Sequence, residues 1–210
     1  MNSVEKRVHD CINIDEMIGY ACELISIKSL TGDEKEAQAN VAAKLESIGM
    51  VVDRWNLDLK ELSKHPDYST EVDRKEGHGV VGVTGNDDGK SLILNGHIDV
   101  VPPGDESNWD NPPWNGTAKD GKILGRGSVD MKGGLACAIY AVKSIRDAGI
   151  ELKGKVIIES VVGEEDGGVG ALACVLRGYR ADGAIIMEPT ELKVAPAQAG
   201  ALCFRITVQG

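Results

Sequence analysis

Residues 91–103 constrain the fold of this chain more than any other stretch. Their apolar run, Leu92-Ile93-Leu94, breaks at Asn95-Gly96 and delivers His97-Ile98-Asp99-Val100-Val101 ahead of Pro102-Pro103. An apolar run this short, bounded by Gly and Pro, reads as a buried strand ending in a site. His97 and Asp99, two apart on an extended segment, point to the same side. A carboxylate so placed can hold an imidazole in one tautomer, the arrangement found behind metal-binding histidines. A strand-end histidine bonded to a neighbouring carboxylate, with no ligand, satisfies the same spacing.

The neighbouring segments decide between these. Helical spacing predicts a helix over residues 13–28, with Ile14, Met17, Ile18, Ala21, Leu24 and Ile25 on one face. A second is predicted over 33–48, with Ala37, Val41 and Leu45 as its stripe and Gly49 as its stop. Residues 50–57 read as a strand and 58–77 as a polar loop without a period. Residues 79–84 and 91–95 read as two strands joined by the turn 85–89. The Pro-, Gly- and Trp-rich stretch 102–121 reads as a long functional loop. The strongest helix is predicted over 131–146, with Leu135, Ala138, Ile139, Val142 and Ile145 at helical spacing. After it come a β-branched strand at 155–162, a helix at 168–176, a strand of the buried kind at 183–187 and an alternating strand at 201–208.

Strands interleaved with helices from residue 91 onward predict an α/β fold whose mixed, largely parallel sheet is flanked by helices. In such sheets ligands gather outside the carboxyl ends of the strands. His97 and Asp99 follow one strand, Glu164 and Glu165 a second and Glu188 a third, while Asp130 sits just before the long helix. Three strand ends and one helix start should therefore converge on one acidic, His-containing mouth. Taken singly, Glu164-Glu165-Asp166-Gly167-Gly168 also fits a solvated turn, and Glu188-Pro189 a surface turn. Packed together, such like charges repel unless a cation or a proton sits among them. An imidazole and carboxylate set suits zinc, cobalt or manganese better than calcium or magnesium. Gly125-Arg126-Gly127-Ser128 invites a phosphate-loop reading, but it lacks the G-x-G-x-x-G spacing and Asp130 would repel a phosphate.

Composition removes several other classes. The chain has 210 residues, enough for a full core. A net charge of −10 with no basic stripe disfavours nucleic acid as a partner. No apolar run approaches the length of a bilayer span, and the charged N-terminus leads into no signal-type core. Five cysteines, at 11, 22, 137, 174 and 203, are scattered without metal-type pairing, which argues for reduced thiols and a cytoplasmic protein.

Four motifs carry a resemblance. Gly96-His97-Ile98-Asp99-Val100-Val101-Pro102, Gly125-Arg126-Gly127-Ser128-Val129-Asp130-Met131-Lys132-Gly133-Gly134, Gly163-Glu164-Glu165 and Met187-Glu188-Pro189-Thr190 resemble, in order and spacing, those of the M20 metallopeptidase family. The resemblance implies a zinc-exopeptidase-like catalytic domain over residues 1–198. Residues 199–210 would then be the first strand of an inserted α+β lid or dimerisation domain, through which the full-length protein would form a homodimer. By the same resemblance His97 binds the first of two metal ions, Asp99 orients His97, and Asp130 bridges both ions with a cis peptide to Met131. Glu165 binds the second ion, Glu188 completes the first site, and Glu164 is the general base on the attacking water. Zinc, one or two ions per subunit, is the implied cofactor, with cobalt or manganese as alternatives.

The implied reaction is hydrolysis of the amide bond of an N-acyl amino acid, nearest to the acetylornithine deacetylase and succinyl-diaminopimelate desuccinylase group. A dipeptidase or carboxypeptidase of the same family, acting on short peptides, is the runner-up. A non-catalytic metal-binding module is the reading from a different class, if the chain naturally ends near Gly210. The family's further metal-binding histidine falls downstream of the matched motifs, so these 210 residues alone are expected to be inactive.

Overall fold

The computed structural model describes residues 1–197 and 206–209. Its centre is a five-stranded sheet built from β1 (Val51–Asn56), β2 (His78–Thr84), β3 (Leu92–His97), β6 (Val156–Val161) and β7 (Gly183–Ile186). The strand order is β1-β2-β6-β3-β7. The β1/β2 and β2/β6 pairings are antiparallel, while β3 runs parallel to both β6 and β7. The sheet is therefore mixed, and its parallel part holds the three strands from which the candidate residues emerge.

Helices cover both faces. Along β2 and β6 alternate residues part company, as a period of two requires. Val80 and Ile158 join a large core with Leu24, Leu45, Leu135 and Ile139. Val81 and Ile157 join a smaller one with Cys174 on the opposite face. The large core is supplied by α2 (Ile14–Ser26), α3 (Lys35–Ser47) and α5 (Lys132–Asp147), but the stripe of α2 starts later than expected, with Ile14 58% exposed and Tyr20 buried beside Ala21 and Leu24. Asn13 caps α2 by accepting from the Glu16 amide at 3.0 Å. Gly49 ends α3 at φ +80°, a left-handed position that a glycine takes without strain. The smaller core is closed by α6 (Val169–Arg177).

Several expectations change. Residues 3–10 form a further helix, α1 (Ser3–Asp10), with no buried residue, held by a capping box between Asn2 and Glu5. The expected loop 58–77 contains α4 (Leu59–Leu62), capped by Asp58. The end of the stretch 102–121 forms β4 (Thr117–Lys119), which pairs as a small hairpin with β5 (Lys122–Leu124) just beyond it. β2 and β3 are consecutive but do not pair, because β6 lies between them and makes the turn at 85–89 a link rather than a hairpin.

β7 is not of the buried kind. Its apolar residues are exposed, Ile185 by 50% and Ile186 by 66%, because among the described residues it pairs only with β3. Of the strand predicted over 201–208, residues 201–205 lie outside the described residues, and 206–208 carry no regular structure. The division expected between residues 198 and 199 also falls outside them.

Candidate metal centre

Parallel pairing puts the carboxyl ends of β3, β6 and β7 side by side, with His97 opposite Val161 and Asn95 opposite Ile186. The chain leaves β6 through Val162-Gly163 into Glu164 and Glu165, and leaves β7 through Met187 into Glu188. Asp130 comes from the other direction, at the start of α5, and its peptide bond to Met131 is cis. The six expected residues thus reach one place.

The geometry is centred on the imidazole. His97 is buried, and its Nε2 lies 2.8 Å from Asp130 Oδ1, 3.6 Å from Glu188 Oε1 and 4.0 Å from Glu164 Oε2. Asp130 and Glu164 are half-exposed, so the carboxylates open to solvent above a buried ring. Ligand atoms of His97, Asp130 and Glu165 all lie within 4.8 Å of one another, as do those of His97, Glu164 and Glu188. In this arrangement Glu164 groups with Glu188 beside the imidazole rather than standing apart from the ligating carboxylates.

Asp99 acts in a different way from the expectation. His97 Nδ1 donates to the backbone carbonyl of Asp99 at 2.8 Å, and the Asp99 carboxylate is 3.7 Å from the same nitrogen. That carboxylate is fully buried and accepts instead from the amides of Glu164 and Glu165, each at 3.2 Å, and from Thr31 Oγ1 at 3.1 Å. It fixes the acidic turn from below.

Electrostatics favour a cation here. Burial, then Asp130, Asp99 and Glu164, push Glu165 up to about 7 against the pull of His97. Burial and the surrounding carboxylates raise Glu188 as well, again against His97. Burial works against a charged His97, yet Asp99, Glu188 and Glu164 outweigh it and raise its pKa. Carboxylates that hold protons this high are crowded like charges, and a divalent cation relieves that crowding. One imidazole nitrogen with several carboxylate oxygens is a fitting donor set for a first-row divalent metal.

Sequence reasoning gave no role to Thr31 or to Lys132. Lys132 is fully buried and donates to the carbonyls of Leu24 and Ile27, at 2.8 and 2.7 Å. It thereby ties the start of α5, two residues after Asp130, to the end of α2. Its position in the first turn of an otherwise apolar stripe was the available signal.

Comparison with known proteins identifies the family and agrees with the fold. The model of Peptidase family M20/M25/M40 matches residues 93–201. The chain is 35% identical over 195 residues to an N-formyl-4-amino-5-aminomethyl-2-methylpyrimidine deformylase of Bacillus subtilis, covering 91% of this chain and 42% of that protein. It is 34% identical over 156 residues to a probable succinyl-diaminopimelate desuccinylase of Staphylococcus aureus, covering 72% of this chain and 39% of the relative. Among solved structures, human carnosine dipeptidase 1 superposes with a TM-score of 0.68 at 22% identity, over 87% of this chain and 40% of that one. A Staphylococcus aureus tripeptidase superposes with a TM-score of 0.63 at 25% identity, over 84% of this chain and 44% of that one. The chain spans about two fifths of the length of the curated relatives it matches.

Proposed function

Because the chain belongs to Peptidase family M20/M25/M40, we propose that it forms part of a metal-dependent hydrolase that removes the acyl group from an N-acyl amino acid. The observation that carries this reading is the convergence of His97, Asp130, Glu164, Glu165 and Glu188 at three parallel strand ends and one helix start. In it His97, Asp130, Glu165 and Glu188 hold one or two metal ions, zinc by preference, with cobalt or manganese as alternatives. The metal, when bound, supplies Lewis-acid polarisation of the amide carbonyl and makes water more acidic.

The remaining work belongs to the chain's own side chains. Glu164, open to solvent beside the imidazole, takes a proton from the attacking water and passes it to the leaving amine. Water adds to the amide carbon, the C–N bond breaks, and a carboxylate and an amine leave. Asp99 keeps Glu164 and Glu165 in place through their backbone amides.

Acetyl and succinyl groups are the acyl groups first to be tested. The Bacillus relative's name favours a second reading, a formyl group on an aminomethylpyrimidine. Short peptides are the third class, as in the dipeptidase and tripeptidase neighbours. The whole protein would act in the cytoplasm and pair through a lid domain. Among the described residues Cys11, Cys22, Cys137 and Cys174 form no disulfide. Among the described residues no helix is long and apolar enough to cross a membrane.

Metal content after dialysis against metal-free buffer tests the reading, on the 210-residue chain and on Glu188→Ala. A retained first-row metal that the variant loses supports it, and none in either folded protein overturns it for this chain. Hydrolysis of N-acetyl, N-succinyl, N-formyl and peptide substrates by the full-length gene product then ranks the substrates. The 210 residues by themselves should hydrolyse none, and measurable turnover by them would remove the need for a downstream histidine.

A further inference from the structure

Beneath the acidic mouth lies a second charged layer, of which the proposed chemistry uses only Asp99. Arg74 comes from the polar stretch between α4 and β2, yet its side chain is 0% exposed. Its guanidinium donates to both carboxylate oxygens of Glu34, at 2.9 and 2.7 Å. The same Nη2 faces Asp166 Oδ1 at 3.9 Å. The other Asp166 oxygen accepts from Thr70 Oγ1 at 2.7 Å and from the Val72 amide at 3.3 Å. Residues 70–74 are thereby folded onto the turn that carries Glu164 and Glu165.

The shape of that turn depends on this contact. Gly163 has φ +65°, and a Cβ there would lie 2.6 Å from Arg74 Nη2 and 2.8 Å from Asp166 Oδ1. The backbone therefore closes directly against the guanidinium. Charge acts in the same direction. Glu34, Asp99 and Asp166 are three buried carboxylates lying under the acids that converge on His97. Like charges stacked in two layers push the turn outward unless a cation sits between them, and a buried cation needs such partners in return.

Resting on the metal-site reading above, we propose that Arg74 is a positioning residue for the ligating turn: its buried guanidinium, clamped by Glu34 and facing Asp166, holds Glu164 and Glu165 where they can meet the metal. It touches no reacting atom and acts through Asp166 and Gly163.

Residue-resolved amide hydrogen exchange, with calorimetric titration of zinc, tests this on the wild-type chain, Arg74→Met and Arg74→Lys. In Arg74→Met, exchange at the Glu164 and Glu165 amides should quicken by about tenfold while core amides of β1 and α5 hold their rates. Zinc affinity should fall by about tenfold to a hundredfold, the usual effect of losing a support behind a ligand. Arg74→Lys should recover part of both. Unchanged exchange at Glu164 and Glu165, or an equal quickening in β1 and α5, overturns the proposal.

Should Arg74→Met not fold, the double variant with Glu34→Gln removes the stranded carboxylate and is read in the same way. Failure of both to fold would make Arg74 a requirement of the whole fold, which also overturns it. If the wild-type chain takes up no zinc, the metal reading fails by itself, and the exchange rates still decide the role of Arg74.

Discussion

The backbone carbonyl of Asp99 lies 2.8 Å from His97 Nδ1, while the carboxylate of the same residue stands 3.7 Å away from it. The carbonyl therefore sets the tautomer, leaving Nε2 turned toward Asp130 at 2.8 Å. This frees the Asp99 side chain for a second task. Its two oxygens receive the amides of Glu164 and Glu165, so that one buried carboxylate joins the end of β3 to the turn after β6.

Replacing Asp99 by Asn tests the strut. The amide keeps one acceptor and sets its own N–H groups against the second donor, which is left unpaired in the interior. A loss of about 1–3 kcal/mol is expected for such a group, read from urea unfolding. Zinc affinity should drop in parallel. An Asn variant as stable as the wild type would mean that the two 3.2 Å contacts contribute little.

Glu165 makes stability depend on pH. Its pKa in the fold, about 7, lies above the 4.5 of an ordinary glutamate. Between those values the metal-free fold binds more protons than the unfolded chain. Its contribution is therefore complete below about pH 4.5 and is lost as pH rises through 7, and the raised pKa of His97 adds in the same direction. The part due to Glu165 should be on the order of 1 kcal/mol, because solvent reaches the side chain. Metal binding reverses the trend, since the ligands must be deprotonated. Melting at pH 5 and pH 8, with and without zinc, should show Tm falling with pH in the first case and rising in the second. Glu165→Gln should flatten the metal-free slope, and an unchanged slope would assign it elsewhere.

The exposed edge of β7 leads to a third expectation. Ile185 and Ile186 stand half-exposed or more on a strand paired only with β3 among the described residues. Such an edge invites pairing with another chain. The 210 residues should self-associate with rising concentration, and Ile186→Lys should reduce this, as measured by sedimentation velocity. Identical concentration dependence in the two proteins would show that association, if present, uses another surface.

What the sequence revealed, and what it hid, follows from the range of the interactions involved. β3 and α5 were legible because an apolar run and a helical stripe are local patterns. The mouth was legible because parallel strands bring their carboxyl ends together whatever their order. The intrusion of β6 between β2 and β3 was not, since a strand some sixty residues later decides it. β7 was misread because Ala184-Ile185-Ile186 shows an apolar pattern, whereas burial depends on what covers it. α1 has no buried face, so only the Asn2 and Glu5 capping pair marked it. Arg74 sat in a stretch without a period, and nothing local distinguishes a charge that will be buried by Glu34 and Asp166 from one left in water.

Lys132 provides the last expectation, and its sign is opposite to that of Glu165. Two carbonyls at the end of α2 favour its charged form, but burial outweighs them and brings its pKa down to about 8 from 10.5. Between those values the unfolded chain binds more protons, so this residue's contribution to stability rises with pH from about 8 to 10.5. Lys132→Met should remove that rise. It should also destabilise the chain at neutral pH by about 1–3 kcal/mol, because the Leu24 and Ile27 carbonyls lose their donor inside the core. The end of α2 and the start of α5 would separate, and Asp130 lies two residues away, so zinc affinity should fall as well. Urea unfolding at pH 7 and pH 10 checks the two effects separately. A Met variant that keeps the wild-type rise in stability with pH would show that Lys132 is not its source.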